Sequence, residues 1–87
     1  MARVDFEPWD PPSDERDDIE RVARRFPSDW RIAFGIGELA DDDCASVVVE
    51  DAEGRPVKGG RDVFKSYRFD LVPPFLETLL RSIEQGR

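Results

Sequence analysis

Three carboxylates in a row, Asp41-Asp42-Asp43, stand directly before the only cysteine, Cys44, and form the densest set of groups here that could do chemistry. That chemistry would be coordination of a hard cation through oxygen, for which the twelve-residue calcium loop is the natural comparison. Counted from Asp41, the sixth position is Ser46 and the twelfth is Ala52. Counted from Asp42, Glu53 falls twelfth, but Val47 occupies the place where the turn requires glycine. Neither register fits, so no metal is expected. Cys44 has no histidine in the chain to activate it, and its acidic neighbours disfavour a thiolate, so it reads as a small inert residue.

Gly35-Ile36-Gly37-Glu38-Leu39-Ala40 matches the letters of a phosphate-binding G-x-G-x-x-G/A loop. The motif works only where a helix follows and its N-terminus holds the phosphate. Asp41-Asp42-Asp43 comes next instead, and three carboxylates repel a phosphate, so no nucleotide cofactor is expected. General acid–base work needs a carboxylate tuned by partial burial. The acids of this chain lie in runs that favour water, and no catalytic set can be named. The expectation is a protein that is not an enzyme.

Charge segregation is the signal that points outward. Residues 1–20 hold eight acids against two arginines, and residues 41–53 hold six acids and no base. Residues 21–40 and 54–70 carry small positive excesses, and the chain as a whole has a net charge of −7. Such patterning governs association and solubility rather than fold. Arg55, Lys58, Arg61, Lys65 and Arg68, with Phe64 and Tyr67 between them, have the composition of a nucleic-acid-binding hairpin. A pI near 4.5 opposes approach to a polyanion, so direct nucleic-acid binding is not expected.

The candidate partner-binding groups are therefore the carboxylates of Asp14, Glu15, Asp17, Asp18, Asp41, Asp42, Asp43, Glu50, Asp51 and Glu53. Phe6 and Trp9, in the acidic proline-containing arm, join them as aromatic anchors of a docking segment. The competing reading is that both rings cover the core beside the first helix. The function expected on this footing is that of a small acidic interaction protein. It would bind, and block or regulate, a basic protein that itself handles nucleic acid, with carboxylates standing in for phosphates. Phage-encoded inhibitors of host nucleases or defence complexes, and immunity and antitoxin proteins, are small, acidic and free of catalytic motifs in the same way; the likeness is one of class alone. The alternative is a homo-oligomeric structural or accessory subunit, in which a strand edge or spare sheet face pairs with a second copy.

At 87 residues the chain has room for one domain, residues 1–87, and one modest core. Apolar residues make up 39%, including six Phe and two Trp, enough to fold, so the 38% of charged residues reads as surface. One cysteine rules out an internal disulfide and fits a reducing compartment. No apolar run approaches the ~18–20 residues of a membrane span, and no basic stretch leading into an apolar one opens the chain. A cytoplasmic protein without membrane contact is expected.

The elements that must position these groups follow from periodicity. Arg3-Val4-Asp5-Phe6-Glu7 alternates as a short strand would, and Pro8 limits it, so residues 1–12 are an edge strand or a partly flexible acidic arm. Ser13 is placed to cap a helix over 14–26, with acids in its first turns and Ile19, Val22, Ala23 and Phe26 on one face. Trp30, Ile32, Phe34 and Ile36 alternate with Arg31, Ala33, Gly35 and Gly37, and the small residues on the second face admit a closely packed helix or another chain. Ala45–Glu50 is the most β-prone run. Asp51–Pro56 is turn chemistry, and a return strand follows, interrupted at Gly59-Gly60 and centred on 62–69. Pro73-Pro74 starts a second helix, near 73–85, whose stripe is Phe75, Leu76, Leu79, Leu80 and Ile83, with Gly86 at its end. The predicted order is (β)-α-β-β-β-α. The fold class is α+β, a small antiparallel sheet of three to four strands with both helices packed on one face, and Ile19, Val22, Phe26, Leu76, Leu79, Leu80 and Ile83 in the core.

Overall fold

In the computed structural model, which describes residues 2–37 and 43–86, the chain folds as β1 (Arg3–Asp5), α1 (Ser13–Ala23), β2 (Arg31–Ile36), β3 (Cys44–Glu50), β4 (Pro56–Lys65), a short 3-10 turn (Phe69–Leu71) and α2 (Val72–Gln85). The four strands form one sheet in sequence order. β2, β3 and β4 pair antiparallel as a meander, whereas β1 pairs parallel to β2, with Val4 beside Ile32. The sheet is therefore mixed rather than wholly antiparallel. The reason is topological: α1 carries the chain back between β1 and β2, so both strands run the same way. Ala2 N–H donates to the Ala23 carbonyl at 3.0 Å and fastens the start of β1 to the end of α1.

Alternation along the strands decides which face is covered. Ile32 and Phe34 of β2, Ala45, Val47 and Val49 of β3, and Phe64 of β4 are buried and join Ile19, Val22, Ala23, Val72, Leu76, Leu79 and Leu80 of the two helices in one core. Both helices thus lie on the same face, side by side, with Arg25 and Glu77 3.7 Å apart across their seam. Every predicted core residue is buried except Ile83, which packs against the cluster and stays partly exposed. No helix among the described residues is long and apolar enough to cross a membrane.

Three boundaries differ from expectation. α1 ends at Ala23, and the turn carrying Phe26 is closed by Arg25 and Phe26 N–H groups donating to Val22 and Ala23 carbonyls. Pro27 disfavours helical geometry in the residue before it, so the last turn tightens. Ser13 is the first helical residue and does not cap; Pro12 takes that place. β4 runs unbroken through Gly59-Gly60 and stops at Lys65, leaving Tyr67 and Phe69 outside the strand. Gly59 adopts φ +75°, and a Cβ on Gly60 would lie 2.6 Å from Val57 Cγ2, so the glycines let the strand bulge close to β3 instead of interrupting it.

Candidate partner-binding surfaces

The strand β3 sorts the predicted acids. Asp43 and Asp51 flank its seven residues, a separation of roughly 25 Å at ~3.3 Å per residue. Asp14, Glu15, Asp17 and Asp18 sit in the first turns of α1, at the Asp43 end, because α1 runs antiparallel to β1 with its C-terminus beside Ala2. Glu50, Asp51 and Glu53 lie at the other end. The eight of these carboxylates that lie among the described residues therefore do not form one surface. Asp41 and Asp42 lie outside the described residues.

At the far end the acids have local work. Asp51 Oδ1 accepts hydrogen bonds at 3.0 Å from the N–H groups of Glu53 and Arg55 and shapes the β3–β4 turn, in which Gly54 takes φ +78°. Glu50 accepts from Arg31 Nη1 at 3.2 Å, and Arg31 Nη2 also reaches Asp5 at 2.8 Å, so one guanidinium ties β1, β2 and β3 together on the uncovered face. The hydrogen bond from Arg31 holds the Asp5 carboxyl below its ordinary range, and Asp5 in turn raises the guanidinium further. Nothing in the sequence singles out this network, because its members are brought together only by strand register.

The near end is different. A shallow cleft of about 310 Å³ between α1 and the start of α2 presents Glu15, Asp18, Asp70 and Glu77 with a single base, Arg21. Arg21 is already 3.1 Å from Asp18. Glu15 Oε2 is shielded and has no hydrogen-bond partner among the described residues. Burial pushes the Glu15 carboxyl up, and the charges of Asp14, Asp70 and Asp18 push it further in the same direction. Asp10 lies close by, paired with Arg16, while Asp70 is held below its ordinary range by Arg68, at 3.0 Å. Asp43 joins the same end through its carbonyl, which accepts from Ser66 N–H at 2.9 Å. Asp70 and Glu77 escape a reading of charge runs, since they lie more than fifty residues from Asp18 in sequence and meet α1 only in space.

Because the Glu15 carboxyl is raised in the folded chain, its contribution to stability is full below the ordinary glutamate range and is lost as pH rises through the raised value. Glu15→Gln removes that loss. The variant is expected to melt higher than the parent at pH 7, with the difference closing below about pH 4, where both side chains are neutral. Thermal denaturation across that range checks it; equal melting temperatures at neutral pH would mean that Glu15 feels no unrelieved negative potential.

Phe6 and Trp9 pack on the core. Phe6 stacks on Phe34 with centroids 5.3 Å apart, and Arg16 lies 4.9 Å above the Phe6 ring. Trp9 meets Phe69 edge-on, and its indole N–H donates to the Gly35 carbonyl at 2.7 Å, just beyond the point where β1 stops pairing with β2. The arm thus finishes the sheet edge that β1 is too short to cover, while both rings keep part of their surface exposed. Cys44 is free and buried. Gly37 N–H donates to the Cys44 carbonyl at 3.0 Å, so the backbone after β2 stays in the sheet ladder through Gly37. Among the described residues no three His, Cys, Asp or Glu side chains gather as a metal site.

The face turned away from the helices carries Ala33 and Gly35 of β2, Ser46 and Val48 of β3, and Arg61 and Val63 of β4. Ser46, Val48, Arg61 and Val63 border a depression of about 400 Å³ rimmed by Ile36, which is 71% exposed. No protein-family model, curated protein or solved structure matches this chain.

Proposed function

We propose that the protein is a non-catalytic interaction domain whose acidic end, built from Asp10, Asp14, Glu15, Asp17, Asp18, Asp43, Asp70 and Glu77, docks on a basic protein. The observation that carries this reading is the shielded Glu15 oxygen, without a partner among the described residues, in a cleft whose other three carboxylates, Asp18, Asp70 and Glu77, are each met by an arginine, Arg21, Arg68 and Arg25. Holding like charges together costs stability, and a cation from outside relieves it. Arginine suits the task, because its planar fork accepts two carboxylate oxygens at once. A partner whose own ligand is a polyanion presents such arginines in an array, so the reading extends to a protein that handles nucleic acid and is blocked or regulated by occupation of that array. Cytoplasmic residence accords with the single unpaired cysteine.

The test is capture from an extract of the source cell with the protein and with Asp14→Lys/Asp18→Lys as paired baits. A basic protein retained by the parent at ~0.05 M salt and lost by the variant is the expected result. These positions are solvent-facing or ion-paired at the surface, so the fold survives their reversal. Equal retention by both baits would remove the acidic end as the docking surface.

A further inference from the structure

We infer that the uncovered sheet face is an interface between two copies of this chain, packed face to face about a twofold axis that runs along the strands between β2 and β3. Strand register sets the groups of that face in rows. One row across that face reads Asp5, Ala33, Val48, Arg61, from the β1 edge to the β4 edge. A second reads Arg3, Arg31, Glu50, Pro56. A twofold axis along the strands lays β1 over β4 of the other copy and β2 over β3, with positions along the strands unchanged. Asp5 then faces Arg61, Ala33 faces Val48, and Arg31 faces Glu50, each pair occurring twice, as an isologous interface requires. Arg3 falls opposite Pro56 and has no counterpart there, while the other three pairs match in charge or in size.

Three further features agree. Arg61 is exposed and makes no ion pair among the described residues, so it is available to Asp5 of a second copy. Gly35 and Ser46 oppose one another across the axis, and such small residues let the sheets settle to the ~10 Å of aligned sheet packing. Edge-to-edge pairing is the less suitable mode, because β4 carries Lys58, Arg61 and Asp62, a bulge and a left-handed glycine along its edge.

Four strands at ~4.8 Å spacing and seven residues at ~3.3 Å rise give a footprint of roughly 450 Å² per copy. That is below the ~800 Å² per partner of standard interfaces, so the dimer dissociates in the micromolar range or above. The axis keeps both acidic ends pointing the same way. The pair therefore presents its two acidic clefts at one end, on opposite outer sides, and neither is used in the dimer contact, so the dimer stands or falls separately from the docking role proposed for those clefts.

Sedimentation equilibrium between ~10 and ~500 µM, with Arg61→Glu as the comparison, is the experiment. The parent is expected to dimerise, and Arg61→Glu to raise the dissociation constant at least tenfold. Arg61→Lys supplies a second readout, since it retains the charge and adds an amine that carbodiimide can join to a carboxylate. Asp5 and residue 61 of one chain sit three strand spacings apart, about 14 Å, too far for a zero-length link. A cross-link between Asp5 and position 61 in a covalent dimer is expected. A parent monomeric at ~500 µM, an unchanged dissociation constant in Arg61→Glu, or a covalent dimer joined elsewhere would each overturn the inference.

Discussion

Leu76→Ala is expected to remove about 2–5 kcal/mol of folding stability, as deletion of a buried leucine does when its surroundings relax only partly. Leu76 is fully buried on α2 and packs in the cluster shared by both helices and the sheet. A domain of this length has ~4–13 kcal/mol in total at the usual stability per residue. At the low end of that range the substitution brings the chain close to unfolding at room temperature. Leu80, 4% exposed on the same stripe, should behave alike. Chemical denaturation measures both, and a loss below ~1 kcal/mol at each would mean that α2 does not close the core.

Phe34→Ala should cost about 3–5 kcal/mol and do so for a different reason. Phe34 is the hub of an aromatic group: it stacks on Phe6, tilts against Phe69 at 5.4 Å and meets Phe64 edge-on at 6.4 Å. Phe6 and Phe69 are also what the N-terminal arm and Trp9 rest on. Removing the ring leaves a cavity and unseats the arm, so Trp9 fluorescence should shift to the red in addition to the loss of stability. Phe34→Leu retains most of the volume and should cost less than half as much. A folded Phe34→Ala variant with parental Trp emission and parental stability would show that the arm is held by something else.

The helices were legible because each carries a stripe at 3.6-residue spacing that nothing interrupts: Ile19, Val22 and Ala23 in α1, and Leu76, Leu79 and Leu80 in α2. β2 and β3 were legible from alternation and from the Val47-Val48-Val49 run. β4 was harder. Its first half, Pro56-Val57-Lys58-Gly59-Gly60, has little strand propensity, and it pairs because the Asp51–Gly54 turn delivers it beside β3. The parallel pairing of β1 was hidden for a related reason, since three residues bear no mark of the direction in which they will pair.

The candidate site was legible only in part. A charge run marks Asp14–Asp18 as acidic, but whether a run becomes a surface depends on what the fold sets beside it. Glu50 and Asp51 are drawn into the Arg31 network and the β3–β4 turn, while Asp70 and Glu77, each isolated in sequence, complete the cleft around Glu15. Phe6 and Trp9 could be read as anchors or as core cover, and the distinction rests on Phe34, Phe69 and the Gly35 carbonyl that accepts from Trp9, three groups that no local pattern connects to the arm.

The central claim is that the acidic end recognises a basic protein electrostatically, and the association rate with the captured partner tests it most directly. Exposed charges are screened over about 10 Å at 0.1 M salt, so steering by this surface fades as salt rises. Stopped-flow association measured from ~0.05 to ~0.5 M salt should slow by an order of magnitude or more for the parent, and Asp14→Lys/Asp18→Lys should start slow and respond little. An association rate that does not change with salt, or that is the same in the reversed variant, would contradict the account.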